Sequence, residues 1–498
     1  MGRKSLIIVF ATLLLLVGVS AVDAAVQPNI TSINGDAFPR SGRIVIEGTG
    51  FGTGGEVTVG GLSAWTTTWT DTRVVAYVPE AAATGATALS MIAQGEQSNS
   101  VPLTVIERQT DGRVKWTFEA DGDNLWWRPA LAPDGTIYVH TNNSSGGLVY
   151  ALSPDGGLLW TQRVNSWPYV PPSAGPDGAV YVGSIRTIYR ISPQGNIDWE
   201  FTDFGSPAVK VAPTIGPDGL LYGVFEIGIG VFAMNPLTGE IVWSNVADPI
   251  ISDKSGGGTE MRFGPAGPGQ PVDQLYFDID GGASFYAFSL AGEQLFNANF
   301  NGVGRAAVEP AIGSDGTIYG PRALGFVIAA ADPSDGSTLW EYYPSWASGT
   351  TSLEIGPGDR LYFVGGAGSL EAFDTGRQTR LWQINPNHWV GRPSISPDGA
   401  TLVAHGSVNG FEPAFVKGYN PKNGKVLWTV ELNWAPYPGP STIGVHHPRI
   451  TPDSTTAYVS TLTLSADRTD PHTYLYAIDI TSGGSGGGGK GKGGGKPR

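Results

Sequence analysis

The chain has 498 residues, a formal net charge of −14 and no cysteine. The missing cysteines exclude disulfides, zinc–thiolate sites, iron–sulfur clusters and a cysteine nucleophile, and the acidic charge disfavours a general nucleic-acid role because it repels phosphate backbones. Abundant glycine (72) and proline (37), together with 15 Trp, 18 Tyr and 19 Phe, favour an all-β protein of short strands and many turns.

Residues 1–24 are interpreted as a signal peptide. Arg3 and Lys4 precede an apolar run at 6–19, and Val22-Asp23-Ala24 offers small residues before a cleavage point after Ala24. The run is short for a full span, and no second apolar stretch of about 20 residues follows it, so a retained anchor is the less favoured alternative. We expect an exported protein without a stable membrane span, located outside the cell, on the cell surface or in the periplasm.

Residues 28–106 are predicted to form an N-terminal immunoglobulin-like β-sandwich. Residues 44–47 alternate with the two-residue period of a strand, and Gly50-Phe51-Gly52 allows a tight turn around a core aromatic residue. This turn, the Val78-Pro79 strand end and Ser98-Asn99 before the last strand resemble the IPT/TIG immunoglobulin-like family. The resemblance implies a spacer or recognition module without catalysis. Trp65 and Trp69 are expected to share one packed face, with a glycan-stacking pair as the alternative.

A repeat of about forty residues fills 112–480. Three clear copies begin with Pro-Ala-Leu-Ala-Pro-Asp-Gly at 129–135, Pro-Ser-Ala-Gly-Pro-Asp-Gly at 172–178 and Pro-Thr-Ile-Gly-Pro-Asp-Gly at 213–219. Each continues through a strand with Tyr and ends in a strand with Trp. The turn glycine permits the positive φ that such hairpins need. Four short strands at this period are typical of a β-propeller blade.

The aromatic residues that end the copies give a blade count of eight, namely Trp116, Trp160, Trp199, Trp243, Phe296, Trp340, Trp382 and Trp428. Residues 113–118 form a fourth strand with no three strands before it, whereas the last copy, from 448 onward, lacks a Trp strand. We therefore predict that these segments complete one blade, so that strands from both ends close an eight-bladed propeller without a free edge. Seven blades with an extra strand is the alternative.

Residues 482–498 are a Gly/Lys-rich segment interpreted as a disordered tail. Its positive charge opposes the acidic body of the protein. Contact with an anionic polymer or surface and a solvated tail without a partner both stay open.

The Tyr-Val pair after Pro-Asp-Gly, the Tyr-Ala-Leu strand and the closing Gly-x-x-x-Trp resemble the pyrroloquinoline-quinone-like propeller repeat. The resemblance implies the fold, while its members include both calcium-dependent quinone dehydrogenases and noncatalytic scaffolds. The adjacent cysteines of the dehydrogenases are absent, and their calcium ligands find no matching positions. We expect no cofactor, with pyrroloquinoline quinone and Ca²⁺ as the alternative, and assign the repeated tryptophans to the core.

The segments that link each Trp strand to the next first strand should emerge on one face of the ring, called the mouth below. Aromatic and arginine side chains dominate recognition hot spots, so we predict a ligand-binding surface there. Its residues are Trp127, Arg128, Trp167, Tyr169, Arg262, Arg305, Trp389, Arg392, His447 and Arg449. The same segments also contain Lys210, Glu260 and Glu309. The alternative is that these loops pack on each other and line a water-filled channel.

These observations favour a noncatalytic exported binding or scaffold protein whose mouth recognises a polysaccharide or a protein partner. The alternative is an enzyme, either a quinone-dependent dehydrogenase or a polysaccharide-active propeller with Glu260 and Glu309 as acid–base groups. The six histidines follow no metal-ligand spacing, and the sequence shows neither a Gly-x-Ser-x-Gly elbow nor a phosphate-binding loop. No catalytic or metal-binding residue is therefore predicted.

Overall fold

A computed structural model describes residues 27–122, 128–143, 146–203, 208–225, 230–245, 259–277, 284–299, 309–322, 327–344, 353–365, 368–385, 389–408, 412–432, 448–463 and 472–481. Its regular elements are strands, which form a sandwich followed by a propeller, as predicted. The predicted signal peptide and tail lie outside these residues. Within the described ranges, no helix is long and apolar enough to cross a membrane.

The sandwich consists of two sheets whose inner faces share one core. The first sheet runs in the order β1 (Asn29–Ile33), β3 (Arg43–Thr49), β7 (Arg73–Tyr77), β6 (Trp65–Trp69). The second runs β2 (Ala37–Pro39), β10 (Val101–Ile106), β8 (Gly85–Ala93), β4 (Gly55–Val59), β5 (Leu62–Ser63), with β9 (Glu96–Gln97) also paired to β8. The predicted core aromatic, Phe51, is fully buried, and a Cβ at Gly48 would lie 2.4 Å from its ring.

The expectation that Trp65 and Trp69 share one packed face is wrong. Trp65 is 45% exposed, whereas Trp69 packs against the sandwich core and donates a hydrogen bond to the Phe51 carbonyl at 2.9 Å. The register of β6 on β7 shifts between Thr66 and Thr68. An irregularity of this kind adds one residue to the strand, so the residues on its two sides no longer share a parity.

Eight further sheets of four or five strands follow within the described residues, which equals the number of blades that the sequence predicts. The four main strands of each blade pair antiparallel, and in blades 1 to 7 they follow one another in chain order from the inner strand outward. Blade 1 comprises β12 (Ala130–Leu131), β13 (Ile137–Asn143), β14 (Gly146–Leu152) and β15 (Leu158–Val164), and blade 2 comprises β16 (Ser173–Ala174), β17 (Val180–Gly183), β18 (Thr187–Ile191) and β19 (Ile197–Thr202). Blade 3 comprises β20 (Val209–Ile215), β21 (Leu221–Phe225), β22 (Val231–Met234) and β23 (Ile241–Asn245), and blade 4 comprises β25 (Arg262–Pro265), β26 (Val272–Phe277), β27 (Ser284–Ser289) and β28 (Gln294–Asn299).

Blades 5 to 8 repeat this arrangement. Blade 5 comprises β29 (Ala311–Ile312), β30 (Ile318–Arg322), β31 (Val327–Ala331) and β32 (Thr338–Tyr342), and blade 6 comprises β33 (Leu353–Gly356), β34 (Arg360–Val364), β35 (Leu370–Asp374) and β36 (Thr379–Ile384). Blade 7 comprises β37 (Trp389–Val390) with β38 (Ser394–Ile395), β39 (Leu402–Val408), β40 (Glu412–Tyr419) and β41 (Val426–Glu431). Blade 8 comprises β42 (Arg449–Ile450), β43 (Thr456–Thr463), β44 (His472–Asp479) and β11 (Val114–Ala120). The short β24 (Thr259–Glu260) belongs to the copy of the repeat that forms blade 4, and it pairs parallel to β20 of blade 3.

The repeated tryptophans join neighbouring blades. Trp116 packs on the turn between the third and fourth strands of the next blade, where a Cβ at Gly156 would lie 2.6 Å from its indole. Its Nε1 donates to the Pro154 carbonyl at 2.8 Å. Equivalent bonds to carbonyls of the next blade are made by Trp160, Trp199, Trp243 and Trp382. At each of these interfaces one indole ring fills apolar space and its N–H is hydrogen-bonded, which explains why Trp recurs at this position of the repeat.

Strands from both ends of the chain close the ring, as predicted. β11 pairs antiparallel with β44, from Val114 opposite Ile478 to Ala120 opposite Thr473. Blade 8 therefore takes its outer strand from the start of the repeat region and its other three strands from the end. The bonded pair removes the free edge that an open blade would expose.

A second buried hydrophobic cluster joins the sandwich to the propeller. Tyr77 of β7 lies in the same buried cluster as Phe118 of β11 and Tyr150 of β14, and its ring stacks on Phe118 with centroids 5.5 Å apart. The Arg43 side chain, only 3% exposed, binds Glu119 at 3.1 Å and Asp121 at 3.2 Å. The sandwich is therefore docked on the closing blade.

Candidate functional site in the central channel

The innermost strands of the blades line the central channel, and two positions of the repeat carry its charge. One position directly precedes, and the other directly follows, the proline that opens each inner strand. In blades 4 and 6 this proline is replaced by Met261 and Leu353. Because the two positions share a parity, their side chains point to the same side of the strand. They hold Arg128 in blade 1, Glu260 and Arg262 in blade 4, Glu309 in blade 5, Glu354 in blade 6, Arg392 in blade 7 and Arg449 in blade 8. We call these seven residues the channel network.

The ion pairs of the channel network cross the channel. Arg128 lies 3.4 Å from Glu260 and 3.5 Å from Glu309. Arg449 lies 3.6 Å from Glu260. Blades 1 and 5, and blades 8 and 4, are four apart in the ring, so these contacts join opposite walls. Arg262 adds contacts to both glutamates, including a bond to Glu309.

Burial makes these charges strongly interdependent. Burial alone would raise the pKa of Glu260, but the guanidiniums of Arg128, Arg449 and Arg262 outweigh it and lower the pKa to about 2. Burial raises the pKa of Glu354, even though Arg128 and Arg262 oppose it. Glu260 is therefore ionised at neutral pH, and it lacks the raised pKa that suits a general acid.

The pKa values of Arg392 and Arg449 depend on the other arginines as well as on the carboxylates. Burial lowers the pKa of Arg392, and Arg128 adds to the shift. Glu260 would raise the pKa of Arg449, but burial together with Arg128 and Arg262 lowers it. Arginine stays protonated in proteins, so Arg392 and Arg449 keep their positive charge despite these shifts.

The wall of the channel is asymmetric. The equivalent positions in blades 2 and 3 are Pro171, Ser173, Ala212 and Thr214, which carry no charge. The segment that enters blade 2 presents Trp167 and Tyr169, which are 51% and 38% exposed. The ammonium of Lys210, on the inner strand of blade 3, lies 5.7 Å from the centre of the Tyr169 ring. An aromatic surface thus borders the neutral part of the wall.

A cavity of about 440 Å³ reaches the channel network from the face that carries the Pro-Asp-Gly turns. Its apolar wall comes from Ile312, Ile355 and Ile395, and Glu354 contributes a charge. Glu354 thus lines this cavity and also interacts electrostatically with Arg128 and Arg262 of the channel network.

The structure brings together four of the residues predicted at the mouth, namely Arg128, Arg262, Arg392 and Arg449. Trp167 and Tyr169 lie apart from the ion pairs, on the segment that enters blade 2. Trp127, Arg305 and His447 lie outside the described residues, and for Trp389 only the backbone, in β37, is described. The assignment of all ten to a ligand site stays a prediction.

Glu354 is the member of the network that the sequence reading missed. Its copy of the repeat has Leu353 in place of the usual proline, which hides its equivalence to Arg262 and Arg449. Aligning the copies on the proline of the turn after the inner strand (Pro265, Pro357 and Pro452) would have placed Glu354 at the same position.

The described residues do not fit a calcium–quinone centre. They contain no group of three or more His, Asp or Glu side chains arranged to hold a metal ion. Two of the carboxylates that face the channel, Glu260 and Glu309, are instead in contact with guanidiniums, which a cation would have to displace. Calcium requires several oxygen ligands, usually including free carboxylates.

Comparisons with known proteins agree with the fold. The sequence model of the family described as outer membrane protein assembly factor BamB matches residues 103–262 and 283–439, more than half of the chain. The IPT/TIG domain model matches residues 28–105. A search of curated proteins found no significant match.

Solved propellers are similar in fold at low sequence identity. BamB from Moraxella catarrhalis is 13% identical, with a TM-score of 0.50 over 72% of this chain and 98% of that one. The C-terminal WD40 domain of Sif2 is 9% identical, with a TM-score of 0.53 over 74% and 98%. The Dos1 propeller is 13% identical, with a TM-score of 0.54 over 72% and 93%. At such identities the likeness concerns the fold alone.

Proposed function

Since the chain belongs to the BamB family of pyrroloquinoline-quinone-like repeat propellers, we propose that it is an exported, noncatalytic binding or scaffold protein. Its propeller resembles those of BamB and of WD40 proteins, a fold that serves widely as a scaffold. The mouth of the ring recognises the partner, which is a polysaccharide or a protein at the cell surface or in the periplasm.

The observation that carries this proposal is the arrangement at the mouth. Four arginines converge at one level of the channel, and the exposed Trp167 and Tyr169 lie on the neighbouring segment. Aromatic and arginine side chains supply much of the binding energy of recognition surfaces. The ion pairs oppose acid catalysis by Glu260, because they hold its pKa at about 2.

Glycan-array binding and pulldown from surface extracts test the proposal. We expect that replacing both Trp167 and Tyr169 by Ala reduces the binding signal by about tenfold or more, since each exposed aromatic residue would lose its stacking contact. Trp65→Ala is the matched control, because Trp65 is 45% exposed but lies on the sandwich. Binding that survives the double change, or falls equally in the control, would remove the mouth as the recognition surface.

A further inference from the structure

We propose that the cavity on the face of the Pro-Asp-Gly turns binds the ammonium group of a lysine side chain, and that residues 482–498 of this chain supply that lysine. The segment contains Lys490, Lys492 and Lys496. Because this face lies opposite the mouth, the cavity is separate from the recognition surface of the proposed function. Docking of the segment would cover one end of the central channel and leave the mouth open.

The first support is a carboxyl group at the cavity that has no close counter-ion. Glu354 lines the cavity, and its carboxylate accepts a hydrogen bond from the backbone N–H of Ile395, another lining residue. Arg128 and Arg262 act on Glu354 electrostatically, but their ion pairs within the described part of the chain are with the other two glutamates of the channel network. Burial raises the pKa of Glu354, since it penalises the charged form. An ammonium group in the cavity would supply the counter-ion.

The second support is the composition of the cavity wall. Glu354 and Asp359 are its acidic members, and none of the residues that line it is Lys or Arg. Its apolar part comes from Ile312, Ile355 and Ile395. A lysine side chain joins a cationic end to an aliphatic stem, so it matches both parts of this wall. The volume of about 440 Å³ is in the range of small-ligand sites and accommodates such a side chain.

The third support is the point at which residues 482–498 leave the propeller. The carbonyl of Ile480 accepts a hydrogen bond from Thr401 Oγ1 at 3.4 Å. The N–H of Thr401 in turn donates to Ser396 Oγ at 2.9 Å across the first turn of blade 7, and Ser396 lines the cavity. Two steps of about 5 Å, the spacing of bonded strands, therefore place the segment's start on the order of 10 Å from the cavity.

The length of the segment is sufficient to reach the cavity. Residues 482–489, between Thr481 and Lys490, are all Ser or Gly. Nine extended residues span up to about 30 Å, so Lys490 and the lysines after it can reach the site. Glycine has no side chain, which lets the backbone approach the turns closely. A tethered ligand acts at an effective concentration that reaches the mM range, so a single buried ion pair is enough to hold it.

Isothermal titration calorimetry with a synthetic peptide of residues 482–498 tests the proposal. The receptor is the full chain with the changes Lys490→Gln, Lys492→Gln and Lys496→Gln, so that its own segment leaves the cavity free. We expect saturable binding of one peptide per chain. A peptide that carries the same three changes should bind about tenfold or more weakly, because it lacks the ammonium groups.

A change in the receptor tests the cavity itself. Glu354→Gln should weaken binding of the lysine peptide by about tenfold or more, because it removes the charge and keeps the shape. Asp335→Asn is the matched control, since Asp335 lies on an exposed turn of blade 5 on the same face but does not line the cavity. Its affinity should equal that of the receptor, and thermal unfolding of each variant shows that it is folded.

Carbodiimide cross-linking of the wild-type protein gives a second readout that needs no variant. We expect an amide bond between the Nζ of a lysine in residues 482–498 and the carboxyl of Glu354, formed as the reagent takes up the water that is lost. Mass spectrometry of the digested protein locates this bond. The cross-linked product should have the mass of a single chain.

Three results would overturn the inference. Equal affinity of the peptide with and without Glu354→Gln, or an equal loss with Asp335→Asn, would show a general attraction to an acidic surface. Cross-links that only join two chains would place the segment on a second copy. Absence of saturable binding, together with no cross-link to Glu354, would show that the segment does not occupy the cavity. The proposed function is tested separately, through Trp167 and Tyr169 at the mouth.

Discussion

Two buried histidines occupy the same position of the repeat, on the second strands of blades 1 and 7. His140 and His405 are each 2% exposed, and the Nε2 of His140 lies 3.0 Å from the Val170 carbonyl. Burial lowers the pKa of His140 to about 4. Burial, together with the nearby Arg392, lowers the pKa of His405 to about 3. Both imidazoles are therefore neutral in the folded protein at neutral pH.

These shifts predict a loss of stability in mild acid. Below the unfolded pKa of about 6.5, the unfolded chain takes up protons that the folded protein excludes, so the free energy of unfolding falls until the pH reaches the folded pKa values. We expect a slope of up to about 1.4 kcal/mol per pH unit for each histidine between about pH 6.5 and 4. Urea unfolding measured at a series of pH values gives this slope.

Replacing both His140 and His405 by Gln should flatten the slope in this window. Asp177, Asp398 and Asp453 have lowered pKa values and lose their stabilising effect only at more acidic pH, so they serve as an internal reference. An unchanged slope in the double variant would show that the two imidazoles are not the groups that titrate.

At the scale of the strands, the interface between blades 7 and 8 differs from the interfaces at which a Trp donates a hydrogen bond to a turn of the next blade. The turn that would accept the bond from Trp428 is split between the two ends of the repeat region, and Trp428 Nε1 has no partner within the described ranges. Arg113 takes the place of that turn. Its guanidinium lies 5.2 Å from the centre of the Trp428 ring and donates to the carbonyls of Asp479 at 3.1 Å and Thr481 at 2.9 Å. A single side chain thus joins β11, β44 and blade 7.

We expect Arg113→Ala to lower the free energy of unfolding by about 1–2 kcal/mol, because it removes two charge-assisted hydrogen bonds and a cation–π contact. Differential scanning calorimetry measures the effect, with Lys422→Ala on an exposed turn of blade 7 as the control variant.

Deleting residues 112–118 removes most of the closing strand and should abolish cooperative unfolding of the propeller. A deletion variant that unfolds like the full chain would contradict closure by β11.

The closure could be predicted from the sequence because Trp116 has no three strands before it and the last copy has no Trp strand after it. The sequence assigns Arg128, Arg262, Arg392 and Arg449 to the segments between blades, whereas the structure places Arg262 and Arg449 at the start of β25 and β42, the inner strands of blades 4 and 8. Their pairing with Glu260 and Glu309 could not be predicted, since it depends on which blades face each other across the channel. The exposure of Trp65 depends on an irregular register that the residue pattern does not show.

At the scale of the whole molecule, buried contacts couple the sandwich to the closing blade. Asp121, at the end of β11, is 6% exposed and accepts bonds from the hydroxyls of Thr67 and Thr68, both at 2.7 Å. It also binds Arg43, so the buried carboxylate is held by side chains of the sandwich. The sandwich thereby stabilises the strand that completes the ring, and we expect the two units to unfold together.

The buried Arg43 tests this coupling. Arg43→Met leaves Asp121 without its counter-charge at a site from which water is excluded, which should cost about 3 kcal/mol and separate the unfolding of the sandwich from that of the propeller. Differential scanning calorimetry should show one transition for the wild-type protein and two, beginning at a lower temperature, for the variant. Arg73→Met is the matched control, since Arg73 pairs with Glu47 at 2.5 Å on the same sheet but both side chains are partly exposed, and such pairs contribute little. Two transitions in the wild-type protein, or a variant whose single transition is unshifted, would show that the sandwich is an independent module.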